Sequence, residues 1–395
     1  MKIAIVSDLH LGYDIFREDA FKQAYNALNI ANEIADMVLI PGDIFDIYYP
    51  KPDVIAEAIN LFRDLSKKDW KAQVIEVKGT KVFTNVPIVA IPGNHETTAQ
   101  DKQNPMKLLS LAGLLIDTSS AYTIVQKDDE IISIFGLGAM SDNSVKQKLS
   151  ELNPTPIKNM FNIFMFHQSI YELLPFNENF MHLNDLPDKF DLYICGHLHN
   201  LFYENVHGKK LIIPGSTVLT QLNDTEKKKG FVLFDTKEYS YEFIEINSRK
   251  FIIKTIELDN ANDSQILEQC ESEIDNSLDK EEKPIIKIYL KGSANLSNFS
   301  LIIQKLKIKY SNTAYLSINA KELTDPNKDK SIIEVRDNKI DQIPIKELGG
   351  ILFNKKLKDL DFDFSLINTD KLFEILSLET NKEKAILKAR EFLEV

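Results

Sequence analysis

Asp191-Leu-Tyr-Ile-Cys-Gly-His-Leu-His-Asn200 reads as a short buried strand running into two histidines. Leu192 to Ile194 is apolar, Gly196 breaks the run, and His197 and His199 follow two residues apart just past its carboxyl end. Alternate residues of an extended segment point the same way, so the two imidazoles converge on one side. Imidazole is a common ligand for transition metals, but a lone His-x-His pair is as often a core or surface feature. The other histidines decide between these readings. The chain has seven, and His10, His95, His167, His197 and His199 each follow an apolar strand-like run beside Asp, Asn or Gly. His182 and His207 lack that setting and are assigned to the surface.

Working outward, Lys2 to Val6 is apolar as a strand buried on both faces would be, and Asp8-Leu-His10 follows it. Phe21, Ala24, Leu28, Ala31 and Ile34 form a helical stripe, and Met37 to Ile40 is a second strand ending at Pro41-Gly-Asp43, which completes a βαβ unit. Asp53 to Leu65 is an amphipathic helix, and the lysine-rich stretch from Ser66 to Asn85 reads as a surface insertion around Trp70. Pro87 to Ile91 delivers Gly93-Asn-His-Glu96, and Asn104-Pro105 opens a helix. Ile131 to Phe135 and Asn162 to Phe166 are strands, the latter delivering His167. Leu201 to Val206 and Lys210 to Ile213 flank His207-Gly208 as a hairpin, and Gly230 to Asp235 with Ser240 to Ile246 repeats the pattern. About nine or ten strands before residue 250 are too many for one open sheet, so two packed mixed sheets flanked by helices are expected.

From Phe251 the character changes to a compact α+β pattern without histidine, reaching residue 325. Residues 326–364 are charged and irregular, and 365–395 carry two short helical segments whose apolar stripes (Leu372, Phe373, Leu376; Ile386, Ala389, Phe392, Leu393) have little neighbouring chain to cover them. The domain boundaries expected are therefore 1–250, 251–325, a linker 326–364 and a tail 365–395.

Composition narrows the class. Over 395 residues there is no long apolar run and no basic-then-apolar leader, which disfavours membrane and secretory readings. Cys195 and Cys270 lie far apart and offer neither a disulfide framework nor a zinc pair, as a reducing cytoplasm allows. The net charge of −12 argues against a protein that coats nucleic acid, while leaving room for a local basic patch.

The candidates Asp8, His10, Asp43, Asn94, His95, His167, His197 and His199 all stand at or just past strand carboxyl ends, where α/β sheets place ligands. Imidazole, carboxylate and amide oxygen together suit Mn²⁺, Fe²⁺ or Zn²⁺, and Asp43 is placed to bridge two such ions. Two ions roughly 3.5–4 Å apart clamp a phosphoryl group and activate a bridging water. Seven of the eight are read as ligands. His95, next to ligand Asn94, is read as the general acid for the leaving alkoxide, oriented by Glu96.

These motifs, Asp8-x-His10, Gly42-Asp43-x-x-Asp46, Gly93-Asn94-His95-Glu96, His167 and Gly196-His197-x-His199, resemble the five motifs of calcineurin-like metallophosphoesterases. The resemblance implies an αββα sandwich with one metal on Asp8, His10, Asp43 and His199, and the other on Asp43, Asn94, His167 and His197. Within that superfamily, His10-Leu-Gly-Tyr13, Gly42-Asp-Ile-Phe45 and Pro214-Gly-Ser216 resemble double-strand-break repair nucleases of the Mre and SbcD type. That likeness implies a nucleoid-associated, two-Mn²⁺ exonuclease and endonuclease acting on DNA ends. It also implies a DNA-capping α+β domain, a homodimer, and a tail that binds an SMC-like ABC-type ATPase. Many archaeal members carry histidine where this chain has Asp46, so Asp46, like Glu96, is expected to be a supporting carboxylate, oriented toward His95. Ile55, Ile59, Phe62, Met106 and Leu109 are the expected dimer contacts. Two alternatives are a small-molecule phosphodiesterase, which would need no residues beyond 250, and a DNA and ATPase scaffold, which would need no His95.

Overall fold

The computed structural model describes residues 1–78, 84, 86–97, 104–174, 179–220, 228–279, 281–295 and 298–325, with Leu372, Leu376 and Lys388 singly. The linker and tail otherwise lie outside the described residues. The chain opens with β1 (Lys2–Ile5), α1 (Arg17–Ile34), β2 (Met37–Ile40), α2 (Pro52–Ser66), β3 (Gln73–Lys78) and β4 (Ile88–Ala90). Next come α3 (Pro105–Leu111), β5 (Ile116–Asp117), β6 (Tyr122–Lys127), β7 (Glu130–Leu137), α4 (Asp142–Leu152), β8 (Phe161–Phe166) and β9 (Leu192–Cys195). Two hairpins follow, β10 (Phe202–Val206) with β11 (Lys209–Ile213) and β12 (Gly230–Asp235) with β13 (Ser240–Glu245). The last described elements are β14 (Phe251–Ala261), α5 (Asp263–Asp275), β15 (Ile285–Ala294), α6 (Phe299–Lys309) and β16 (Tyr315–Thr324).

Two mixed sheets form the body, in the orders β13-β12-β1-β2-β4-β5 and β10-β11-β9-β8-β7-β6-β3. Strand alternation sorts the apolar side chains into layers. On β1 and β2, Ile3, Ile5, Met37 and Leu39 face the second sheet, meeting Ile163, Met165, Leu192 and Ile194. Ala4, Val38 and Ile40 face the other way, under Ala24, Leu28 and Ala31 of α1 and Phe62 of α2. On the far side, Phe164 and Phe166 pack with Val145 and Leu149 of α4. The result is the expected helix–sheet–sheet–helix sandwich. No helix among the described residues is long and apolar enough to cross a membrane.

Three strands escape the sequence reading. The stretch read as an insertion contains β3, an edge strand of the second sheet, where Val74 and Val77 are both buried. A register shift between Val74 and Glu76 breaks strict alternation, and with it the pattern that marks a strand. Trp70 is half-buried against the helical layer, and its indole N–H donates to the Leu65 carbonyl at 3.1 Å. The short strand β5 and the strand β6 were likewise not anticipated.

The described residues fall into two compact units: Met1–Ile256, Gln269–Tyr289 and Ile303–Asn319 form the first, and Glu257–Glu268, Leu290–Ile302 and the residues from Ala320 form the second. Within the second unit, Asn262 and Gln265 each accept the other's backbone N–H, capping the start of α5.

The residues expected to form a dimer contact divide in two. Phe62, Met106 and Leu109 are fully buried and cover the first sheet, because the helix faces they occupy have a sheet beneath them. Leu108 and Leu111 stand exposed at 41% and 48%, while Ile55 and Ile59 are half-buried. Truncating Phe62 to Ala is expected to lower unfolding free energy by about 3–5 kcal/mol. Leu108→Ala should stay within about 0.5 kcal/mol of wild type. Urea titration distinguishes the two, and equal losses would contradict the layering.

Candidate metal centre

Five parallel strands point their carboxyl ends at one place. β1, β2 and β4 are parallel neighbours in the first sheet and carry Asp8 with His10, Asp43, and Asn94 with His95 just past their ends. β8 and β9 are parallel neighbours in the second sheet and carry His167, then His197 and His199. Backbone bonds lock the turns together: Asp8 N–H donates to the Gly42 carbonyl at 3.2 Å and His10 N–H to the Asp43 carbonyl at 3.1 Å. Across the sheets, His197 N–H donates to Asp8 Oδ1 at 3.1 Å, and within the first sheet's turns His95 N–H donates to Asp43 Oδ1 at 3.0 Å.

The turns are strained to do this. Asp8, His10, Asp43 and His197 have φ of 52°, 46°, 51° and 76°, the left-handed region that L-residues seldom adopt. Such conformations cost on the order of 1 kcal/mol each or more and persist where surrounding structure over-determines them. Close approach explains two glycines. A Cβ on Gly42, itself at φ 105°, would lie 2.2 Å from His167 Nδ1, and one on Gly93 would lie 2.0 Å from Asp43 Oδ1.

All seven residues read as ligands come together, and the sets whose donor atoms lie within 4.8 Å of one another are Asp8-His10-His199, Asp8-Asp43-His167 and His10-Asp43-His95. His10 Nε2 lies 3.1 Å from His199 Nε2, which lies 4.0 Å from Asp8 Oδ1; candidate donor atoms of Asp8, His10 and His199 sit within 4.8 Å of one another. His167 Nε2 lies 3.3 Å from Asp43 Oδ2 and 2.9 Å from Asn94 Oδ1, and Asn94 Oδ1 lies 2.8 Å from His197 Nδ1. Each imidazole has an oxygen on its other nitrogen: Asp46 Oδ1 on His10 at 3.0 Å, the Pro41 carbonyl on His167 at 2.7 Å, Ser169 Oγ on His197 at 3.0 Å, and Thr220 Oγ1 on His199. The Nε2 atoms of His10 and His199, 3.1 Å apart, face each other beside the Asp8 carboxylate. Imidazole nitrogens and carboxylate oxygens gathered within 4.8 Å of one another are a donor set that fits a divalent metal.

His95 lies at the exposed edge of the cluster, with a ring nitrogen within 4.8 Å of donor atoms of His10 and Asp43. Its side chain is 38% exposed, its ring meets His10 edge-on at 4.8 Å, and its Nδ1 donates to the Asp46 carbonyl at 2.5 Å. The sequence reading has Glu96 and the Asp46 carboxylate orienting this ring; the structure assigns both differently. The Asp46 carboxylate bonds His10, remaining 3.8 Å from His95, while its main-chain oxygen holds the ring. Glu96 accepts the backbone N–H groups of Phe45 and Gly93, each at 2.9 Å, and thereby ties the Asp43 turn to the Asn94 turn. His207 is exposed as expected, and His182 is partly exposed beside Glu172 at 3.1 Å.

Charge is balanced by protons in the protein alone. Burial pushes the Asp8 carboxyl above its usual range. Burial also opposes ionisation of Asp43, but the charge and hydrogen bond of His167 overcome it and hold that carboxyl well below its usual range. Burial alone would depress His167, yet Asp43 and Asp8 raise it to about 9. His197, desolvated and repelled by His167, falls to about 3. Glu96 is pushed up to about 8, first by burial and then by Asp43. The His167 proton thus supplies the positive charge that the carboxylates require.

The family model for calcineurin-like phosphoesterases matches residues 1–201. The chain belongs to that family and is a metal-dependent phosphoesterase. Its relatives narrow the kinship to one branch. The DNA double-strand break repair protein Mre11 of Sulfolobus acidocaldarius is 28% identical over 316 residues, covering 74% of this chain and 75% of that protein. The protein of the same name from Saccharolobus solfataricus is 25% identical over 368 residues, covering 88% and 90%. The double-strand break repair protein MRE11 of Arabidopsis thaliana is 26% identical, covering 81% of this chain and 51% of that one. The expected likeness to the repair nucleases is borne out by these relatives.

Ser169 and Thr220 are functional neighbours that the sequence reading missed. Ser169, two residues beyond His167, carries the only local signal; Thr220 lies 21 residues from His199 and carries none. His167 holds its proton up to a pH of about 9, so serving as a metal ligand near neutral pH, as the sequence leads one to expect, requires that the proton leave. Loading is expected to release about one proton per protein. Affinity should rise as pH climbs toward 9. Calorimetry in two buffers of different ionisation enthalpy reads the release, and a buffer-independent heat would contradict it.

Proposed function

We propose that the chain is a Mn²⁺-dependent nuclease that hydrolyses phosphodiester bonds at DNA ends by a two-metal mechanism, as exonuclease and endonuclease. The observation that carries the reading is the convergence of Asp8, His10, Asp43, Asn94, His167, His197 and His199 at one set of strand ends, with His95 at its exposed edge. On this reading the seven belong to two quartets, Asp8-His10-Asp43-His199 and Asp43-Asn94-His167-His197, and His95 to acid catalysis. The relatives, named as double-strand break repair proteins, support DNA as the substrate and repair as the setting. Bound divalent cations supply charge for the phosphoryl oxygens and a water acidified to nucleophilic range. Mn²⁺ suits the mixed imidazole, carboxylate and amide set, which Fe²⁺ and Zn²⁺ also fit.

The protein's own groups do the rest. Asp43 Oδ1 fixes the His95 backbone, and the Asp46 carbonyl accepts from His95 Nδ1, which fixes the ring's orientation. His95 Nε2 is then the nitrogen placed to donate a proton to the leaving alkoxide. Asp46 Oδ1 and Thr220 Oγ1 hold His10 and His199 in the tautomers that turn Nε2 inward.

The remaining expectations extend the same reading. Residues 251–325, a three-stranded sheet in the order β14-β15-β16 with α5 and α6, serve as a DNA-capping domain. Two copies pair about a two-fold axis through α2 and α3, with exposed Leu108 and Leu111 as the contact in place of the buried Phe62, Met106 and Leu109. The apolar stripes of 365–395, too short to be stable helices alone, dock on an SMC-like ATPase, with 326–364 as tether.

The test is hydrolysis of end-labelled duplex DNA and of bis-p-nitrophenyl phosphate, each with and without Mn²⁺. Cleavage of the small diester alone would favour a small-molecule phosphodiesterase, and cleavage of neither would favour a scaffold. His95→Ala is expected to retain both metals while its rate falls roughly 10²–10⁴-fold, the usual share of general acid catalysis. Elemental analysis showing lost metal would make His95 a ligand instead. Deleting 365–395 should preserve Mn²⁺-dependent cleavage of the small diester and abolish co-purification with the ATPase; loss of the basal activity would place the tail in the body of the protein.

A further inference from the structure

The oxygens behind His10 and His167 belong to the metal-binding turns themselves, being Asp46 and the Pro41 carbonyl. The oxygen behind His199 comes from elsewhere. Thr220 follows Pro214-Gly-Ser216, and Tyr13 holds it by donating its phenolic O–H to the Thr220 carbonyl at 2.9 Å. Tyr13 in turn belongs to the His10 turn, where its N–H donates to the His10 carbonyl at 3.0 Å. The connections close into a ring: His10 to Tyr13, Tyr13 to Thr220, Thr220 to His199, and His199 Nε2 back to His10 Nε2 at 3.1 Å. Two imidazoles of one metal site are thus braced against each other from behind.

The brace is itself seated in an apolar cluster. Phe16 and Leu219, neighbours of the two bracing residues, are buried together with Ile285, and Tyr13 and Phe251 pack against them. Phe16 meets Tyr315 edge-on at 5.2 Å, and the Tyr13 ring lies 6.1 Å from that of Phe16. Arg249, which pairs with Asp19 through two nitrogens, packs over the Tyr315 ring at 5.2 Å. The Tyr13 end of the brace cannot swing without opening this cluster, and the Thr220 end is joined to it through its chain neighbour Leu219.

We propose that Thr220 and Tyr13 are positioning residues of the cation site formed by Asp8, His10, Asp43 and His199. The Thr220 hydroxyl accepts from His199 Nδ1, so the Nε2 lone pair is the one presented to the cation. Tyr13 sets the separation between Thr220 and the His10 turn. The inference rests on the reading of this centre as a two-cation site.

Mn²⁺ binding decides it, measured on the full chain by equilibrium dialysis with elemental analysis. Wild type should hold two ions. Thr220→Val, which keeps the shape and removes the hydroxyl, should hold one ion normally and the other about 10–100-fold more weakly. Thr220→Ser should restore wild-type binding, and Tyr13→Phe should shift the same ion in the same direction by less. The Mn²⁺ concentration needed for half-maximal phosphodiesterase rate should rise in Thr220→Val, while the rate at saturating Mn²⁺ approaches wild type. Wild-type affinity for both ions in Thr220→Val, or equal weakening in Thr220→Val and Thr220→Ser, would overturn the proposal. Should Thr220→Val fail to fold, Tyr13→Phe decides alone, and wild-type affinity for both ions there refutes the brace. A wild type that binds one ion would overturn the two-cation reading together with the brace.

Discussion

Asp8 and Asp43, two carboxylates buried within a few ångströms of one another, impose a charge that this protein must neutralise. An isolated buried carboxylate is too costly to keep ionised, so it acquires a proton, a cationic partner or a metal. In the protein alone the compensation is the His167 proton, which Asp43 and Asp8 hold up to a pH of about 9. The Nε2 atoms of His10 and His199 stand 3.1 Å apart at the same place. A centre arranged in this way carries the chemistry of a metal site in its electrostatics, because each carboxylate is stable only beside a cation.

The backbone strain follows from that arrangement. Bringing donors from five strand ends into one small volume requires sharp turns, and four of the donors themselves take left-handed φ values. Aspartate and histidine are among the residues that tolerate this region best, so the ligand types and the turn geometry are compatible. Glycine precedes Asp43, Asn94 and His197, where a side chain would collide with a ligand or a neighbouring turn. The sandwich beneath, with Ile3, Leu39, Ile163 and Ile194 packed between the sheets, over-determines the turns and absorbs their cost.

Orientation is a separate matter from ligation. Each inward-facing imidazole nitrogen is set by an oxygen on the opposite nitrogen, and these oxygens come from a side-chain carboxylate, a main-chain carbonyl and two hydroxyls. Asp46 serves twice, its carboxylate on His10 and its carbonyl on His95. That double use ties the His10 and His95 rings to a single residue.

The amino-acid sequence by itself determined the fold class and the list of metal-binding candidates. Both were legible because the signals are local: an apolar strand, a glycine and then a donor, repeated at Asp8, Asp43, Asn94, His167 and His197. The strand β3 was not legible, because a register shift separates its buried Val74 and Val77 and disguises the alternation. Only the tertiary structure decided which oxygen stands behind which histidine. His167 meets a carbonyl 126 residues away and His10 a carboxylate 36 residues away, and Glu96 grips two backbone amides rather than its neighbour His95. Such pairings depend on how strands from two sheets stack end to end, and no spacing along the chain records that.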